Sequence, residues 1–306
     1  MTDTRLHILK TLAYFDIFQY PLRVEEIQLF HGQNSRIEII NEGIRSLTAD
    51  KIIFRIDEFY SLHDDISLTA GRRQGNELAN EQMKTVHKAA KILSWFPYVR
   101  GLAISGSLSK NFANNKTDID FFIITSANRL WIARTCMHLF KKITFLAGRQ
   151  HWFCMNYYVD GTALEIEEKN VYTAMEIITL LPMFGKVALQ DFLNANKWVK
   201  DHFPCSSTLV TETAILKDGF FKRVFEKIFN NNMGEWLDNL LMKITDKRWK
   251  KKLVKNLKNG KGLAKGMLVS KHYSKPDPVN FQDKIVLQYE NRVKLLVEEE
   301  RVAFRV

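Results

Sequence analysis

The chain has 306 residues, 46% apolar and 12% aromatic, enough to bury one large core or two or three smaller ones. No apolar run approaches the roughly 18 residues of a membrane span, and the opening MTDTRLHILK lacks the apolar centre of a signal peptide. Cys136, Cys154 and Cys205 form no CxxC pair, so a soluble cytoplasmic protein with reduced thiols is expected and a disulfide-stapled or membrane-spanning one is set aside.

From Arg5 to Tyr14 the spacing of Leu6, Leu9, Leu12 and Ala13 is helical, and a second helix is predicted after Pro21 with Val24, Ile27 and Phe30 inward. A third follows Ser35, with Ile37, Ile40, Ile44 and Leu47 recurring at three and four residues. IIFRIDEFYSLH then reads as two short strands around Asp57-Glu58. Three helices and a hairpin make a winged helix, predicted over residues 1–68. Its third helix carries Glu38 and Glu42 beside Arg36 and Arg45. Carboxylates on a reading face repel phosphate, so packing or protein contact is favoured over DNA reading. Residues 71–96 read as a polar linker running into a helix with Met83, Val86, Ala90 and Leu93 inward, ended by Pro97.

The stretch ISGSLSKNFANNKTDIDFFIIT, residues 104–125, carries the chemistry. Alternation along a strand puts Asp118 and Asp120 on one face and Ile119 on the other. Two carboxylates so close repel unless a cation lies between them, and Mg²⁺ held by one or two carboxylates and by substrate phosphates is the usual partner. Upstream, Gly106 and Ser107 with Ser109 let backbone N–H groups approach a phosphate, and Lys110 adds positive charge. Phosphoryl and nucleotidyl transfer need these two parts close together.

An apolar strand, Gly106-Ser107, ten residues, then Thr117-Asp118-Ile119-Asp120 and a second apolar strand resembles the signature of the DNA polymerase β type nucleotidyltransferase superfamily. The resemblance covers residues 98–185. It implies an α/β (α+β) core with a mixed sheet over residues 69–190, and transfer of a nucleoside monophosphate from an NTP to an acceptor hydroxyl with two Mg²⁺ ions. It also implies that Gly106 and Ser107 hold the triphosphate while Asp118 and Asp120 bind metal. The superfamily usually adds a third carboxylate from the next strand as the base. Here that strand is HWFCMNYYV, whose central polar residue is Asn156; an amide does not accept the proton. Asp160, Glu165 and Glu167 are the nearby substitutes. His138, His151, Arg129 and Arg134 read as structural residues or solvated charges.

In VYTAMEIITLLPMFG, Ala174, Ile177, Ile178 and Leu181 continue the core, and residues 191–306 read as an all-helical domain. Phe221, Val224, Phe225, Ile228 and Phe229 line one side of a helix with Lys222, Arg223 and Lys227 between them, and Trp236, Leu237, Leu240, Leu241 and Ile244 continue the seam. Between Asp246 and Lys275 eleven Lys/Arg stand against one Asp, so this segment carries ten of the eleven excess charges. The run reads as a solvated face or as an attractor of RNA or another acidic partner such as acidic lipid, and the seam as a helical domain packed on the core or as a basic amphipathic surface for an anionic membrane or RNA. A nucleotidyltransferase is the leading reading; a catalytically inactive nucleotide-sensing or nucleic-acid-binding regulator on the same fold is the alternative.

Overall fold

The computed structural model describes residues 3–146, 148–206, 210, 213–214, 219–258, 266–277 and 279–303. Three helices open the chain, α1 (Asp3–Asp16), α2 (Val24–Leu29) and α3 (Ile37–Ala49), followed by an antiparallel hairpin of β1 (Phe54–Ile56) and β2 (Phe59–Ser61). Asp57 turns the hairpin with φ of 56°. Leu9, Leu12, Ala13, Ile27, Ile40, Ile44 and Leu47 are buried, as the three- and four-residue spacing predicts, and Ile8 joins them.

The polar stretch expected as a linker is helical. Helix α4 runs unbroken from Ile66 to Ser94, capped by Asp65, whose carboxylate accepts the Ser67 N–H at 2.8 Å. The boundary expected near residue 68 therefore falls inside its first turn. Its second half buries Val86, Ala90 and Leu93 as the spacing predicts, whereas its first half carries no apolar stripe because it buries small residues and one arginine. A Cβ at Gly75 would overlap the Phe112 ring, and Ala79 is 1% exposed. Arg72 is buried with its guanidinium Cζ 3.6 Å from the centroid of the Tyr20 ring, and it donates to Glu26 at 2.6 Å and to the Pro21 carbonyl at 3.1 Å. Arg72→Met should lower stability by about 2 kcal/mol in urea unfolding, less than a fully buried pair because Glu26 can rehydrate.

Next come β3 (Val99–Ser105), the one-turn α5 (Gly106–Ser109), β4 (Asp120–Thr125), α6 (Leu130–Leu146) and β5 (Cys154–Asp160). Then follow α7 (Val171–Ile178), β6 (Leu181–Phe184), α8 (Lys186–Ala195), α9 (Phe220–Phe229), α10 (Asn232–Lys258), β7 (Gly266–Val269), β8 (Tyr273–Asp277) and α11 (Phe281–Ala303). The fold is mixed α and β, built on a six-stranded sheet of order β6-β3-β4-β5-β8-β7 in which β4 and β5 are parallel and the other neighbours antiparallel. Period-two alternation divides its side chains. Leu102, Ile104, Phe121 and Ile123 pack with Val86 and Leu93 of α4 and Met137 of α6. Ala103, Phe122, Ile124 and Val159 belong to the cluster that holds α7, α8, the N-terminal helices and Ile285 of α11.

The C-terminal third is not all-helical. Strand β8 pairs with β5 through Tyr158↔Ser274 and Val159↔Tyr273, and β7 pairs with β8 at the edge. GMLV and YSKPD are too short to show alternation, and Pro276 lies beyond the stretch of β8 that pairs with β5, which ends at Ser274, so it faces only the edge strand β7. Gly260 and Gly262 of the lysine-rich run lie outside the described residues. All three cysteines are free and half-buried. Among the described residues no helix is long and apolar enough to cross a membrane.

Candidate functional site

The antiparallel pairing of β3 with β4 sets Ser105 opposite Asp120, which brings the Gly106 turn onto the carboxylate. Gly106 has φ of 70°, and a Cβ built there would lie 2.6 Å from Asp120 Oδ2. Only glycine satisfies both the left-handed backbone and this approach. Lys110 Nζ folds back to the Gly106 carbonyl at 3.1 Å, and Tyr20 of the N-terminal segment donates its hydroxyl to the Lys110 carbonyl at 2.5 Å.

The register of β4 against β5 shifts between Phe121 and Phe122, leaving Asn156 without a Cα partner between Met155 and Tyr157. This irregularity aims the Asn156 amide at Asp120, where Nδ2 donates to Oδ1 at 2.6 Å. The third-strand position named from the sequence thus meets Asp120, with an amide where the resemblance implies a base.

Gly106, Ser107, Lys110, Asp120 and Asn156 line one cavity of about 620 Å³, within the range of small-molecule sites. Its walls are largely apolar in surface and include the rings of Phe15, Tyr20, Phe112, Phe122, Tyr157 and Tyr172. Two of the expected residues stand apart. Ser109 donates to the Gly106 carbonyl at 2.8 Å, closing the turn of α5, and Asp118 is half-exposed outside the cavity wall, paired with His151 Nδ1.

The sequence reading missed Glu176. It projects from α7 into the cavity, accepts the Gly106 N–H at 3.2 Å with Oε2 and pairs with Lys110 Nζ at 2.7 Å through Oε1. The carboxylates named as substitutes for the missing base lie elsewhere. Asp160 is fully buried near the other end of β5, accepting from the Asn128 and Thr162 N–H groups and facing His272. Glu165 pairs with Lys169 at the surface, and Glu167 is exposed; neither lines the cavity. Arg129 donates to the carbonyls of Phe229 and Asn231, Arg134 lies over the Trp131 and Trp249 rings, and His138 is pushed down to about 3 by burial, so all three are structural.

Burial, then the charges of Asp118 and Glu176, push Asp120 up to about 7 against the hydrogen bonds from Cys154 and Asn156. In the folded, metal-free protein Asp120 keeps its proton to higher pH than in the unfolded chain, so its contribution to stability is present at low pH and lost as pH rises from about 4 to about 7. In EDTA, the stability of wild type relative to Asp120→Asn should therefore fall by roughly 1.4 kcal/mol per pH unit across that window and level off above it. Urea unfolding of both proteins over the same pH series measures it.

Oxygen donors from two carboxylates, an amide and the Ser107 hydroxyl suit a hard cation such as Mg²⁺. Among the described residues no three His, Cys, Asp or Glu side chains form a complete metal cage. Mg²⁺ does not need one, since water and phosphate oxygens complete its shell. Compared with known protein families, with curated proteins and with solved structures, the chain matches none.

Proposed function

We propose that the protein is a Mg²⁺-dependent nucleotidyltransferase of the DNA polymerase β type, moving a nucleoside monophosphate from an NTP to an acceptor hydroxyl. The observation that carries the reading is the contact of Gly106 with Asp120. It puts the backbone N–H, Ser107 and Lys110, which suit a triphosphate, against the carboxylate that suits its metal. Asp118, Asp120 and Glu176 are close enough for the first and last to raise the second, and Lys110 alone among the cavity's cations is paired with this group. That surplus of negative charge is relieved by a divalent cation. Bound Mg²⁺ supplies charge neutralisation at the attacking and leaving oxygens.

In this reading Asp120, with Asp118 once freed from His151, would hold the metal, and Gly106, Ser107 and Lys110 would hold the triphosphate. The acceptor oxygen bonds to the α-phosphorus, the bond to the β-phosphate bridging oxygen breaks, pyrophosphate leaves and a carboxylate takes the acceptor's proton. That last role is assigned to Glu176, the cavity carboxylate that reaches the Gly106 N–H and Lys110. The N-terminal helices and hairpin serve as a winged-helix module that walls the cavity with Phe15 and Tyr20, while Glu38 and Glu42 lie exposed on α3.

Asn156 favours a second reading, a regulator that binds nucleotide without transferring it. Calorimetric titration of ATP, GTP, CTP and UTP with and without Mg²⁺, followed by a search for label transfer from α-³²P-NTP, separates the two. Metal-dependent binding with transfer supports the enzyme, binding without transfer to any acceptor supports the regulator, and no binding removes both.

A further inference from the structure

Helices α9 and α10 form a hairpin whose inner faces, with Phe225, Phe229, Leu237 and Leu241, pack on Tyr98, Ile132 and Ala133. Arg129 secures the turn by donating to Phe229 and Asn231. The sequence seam is therefore split. Phe225 and Phe229 go inward, while Phe221, Val224 and Ile228 of α9 and Trp236, Leu240 and Ile244 of α10 are exposed, Phe221 at 71% and Trp236 at 64%. Lys222, read as a flanking surface charge, is instead buried, its ammonium donating to the Val99 carbonyl at 3.0 Å.

Trp236, Leu240 and Ile244 recur at helical spacing on one face of α10, and the same face continues three and four residues on with the exposed Lys247 and Lys251. An apolar half and a basic half thus share one outward surface. Exposed apolar patches of this kind mark docking sites. A second copy of the chain would set one lysine-rich segment near another and be repelled. RNA would satisfy the lysines but leave the aliphatic side chains of Val224, Ile228, Leu240 and Ile244 without a complementary surface. A bilayer rich in anionic lipid satisfies both halves, taking the apolar side chains at the headgroup boundary, where tryptophan is favoured, and pairing lysines with lipid phosphates.

We propose that the outer face of the α9–α10 hairpin docks the protein on an anionic phospholipid surface. The inference is independent of the chemistry assigned to the cavity. It is tested with the full chain by flotation with phosphatidylcholine vesicles containing about one quarter phosphatidylglycerol, and with pure phosphatidylcholine vesicles, at low salt and at about 0.15 M salt. Binding is expected to the anionic vesicles, weaker at the higher salt, and at least about tenfold weaker to the neutral ones. Phe221→Glu with Trp236→Glu should abolish it, and Lys247→Gln with Lys251→Gln should weaken it by about fivefold per lysine. These positions are exposed, so the variants should keep the wild-type thermal unfolding curve. Three results overturn the proposal: no wild-type binding to anionic vesicles, binding unchanged in the Phe221→Glu/Trp236→Glu protein, or a concentration-dependent dimer that this double substitution abolishes while vesicle binding persists. Binding of a single-stranded RNA probe with no vesicle binding would reassign the surface to RNA.

Discussion

Asp120→Asn is expected to remove Mg²⁺-dependent nucleotide binding and to lower transfer by about 10³-fold, the several kcal/mol of transition-state stabilisation that a correctly held metal supplies. Asparagine keeps the shape, the packing against Gly106 and one hydrogen-bonding edge toward Asn156. What it lacks is charge. Loss of activity through misfolding is separated by the stability measurement itself, because the same substitution removes a carboxylate raised to about 7 by burial. In EDTA above that pH the variant gains stability relative to wild type, so it should be at once better folded and inactive. Asp160→Asn is the opposite control. Its carboxylate accepts two backbone N–H groups and faces His272 outside the cavity, so its loss should lower the unfolding midpoint while metal-dependent binding survives. If Asp120→Asn retains Mg²⁺-dependent binding at the wild-type affinity, the metal does not sit at this carboxylate and the proposed function fails.

The Gly106-Ser107 turn and the two aspartates were legible because their signals are local: a glycine between apolar strands, and acidic residues at a strand mouth. The pairing Ser105↔Asp120 then closes a short loop and brings the turn onto Asp120, while Asp118 stays outside the cavity beside His151. Asn156 was legible for the same reason, lying on the next strand in sequence. Glu176 was not. It follows Gly106 by seventy residues, within an apolar helical run whose Ala174 and Ile177 are buried, where a charged residue reads as the solvent side. Only the antiparallel docking of β6 on β3 carries α7 over the turn. A lone acid in an otherwise apolar helix was the available signal. The same limit hid the first half of α4, and β8: residues 66–79 bury glycine, alanine and a stacked arginine instead of an apolar stripe, and β8 gains its place from pairing with β5, not from its own pattern. Periodicity reports faces that are buried against apolar neighbours; it is silent where a small residue or a neighbouring strand does the same work.

Glu176→Gln should raise NTP affinity by one to two orders of magnitude. The Glu176 carboxylate occupies the Gly106 N–H at 3.2 Å and Lys110 Nζ at 2.7 Å, the donors that the proposed function assigns to phosphate. It stands where a phosphate oxygen is expected, so nucleotide must displace it and then endure a like charge nearby. Each charge-assisted hydrogen bond is worth about 1.5–3 kcal/mol, and the neutral amide competes for the same donors less strongly. A second readout follows from Asp120, which Glu176 helps to raise: removing that charge lowers the pH at which the metal-binding carboxylate ionises, so Mg²⁺-dependent binding should extend to more acidic solution. Turnover then assigns the released carboxylate its role. If Glu176 takes the acceptor's proton, the variant binds tighter but transfers about 10²-fold more slowly; if Glu176 only blocks the cradle, affinity and turnover rise together. Unchanged affinity and an unchanged pH dependence would mean that phosphate does not enter between Gly106 and Lys110, and the triphosphate would have to be placed elsewhere in the cavity.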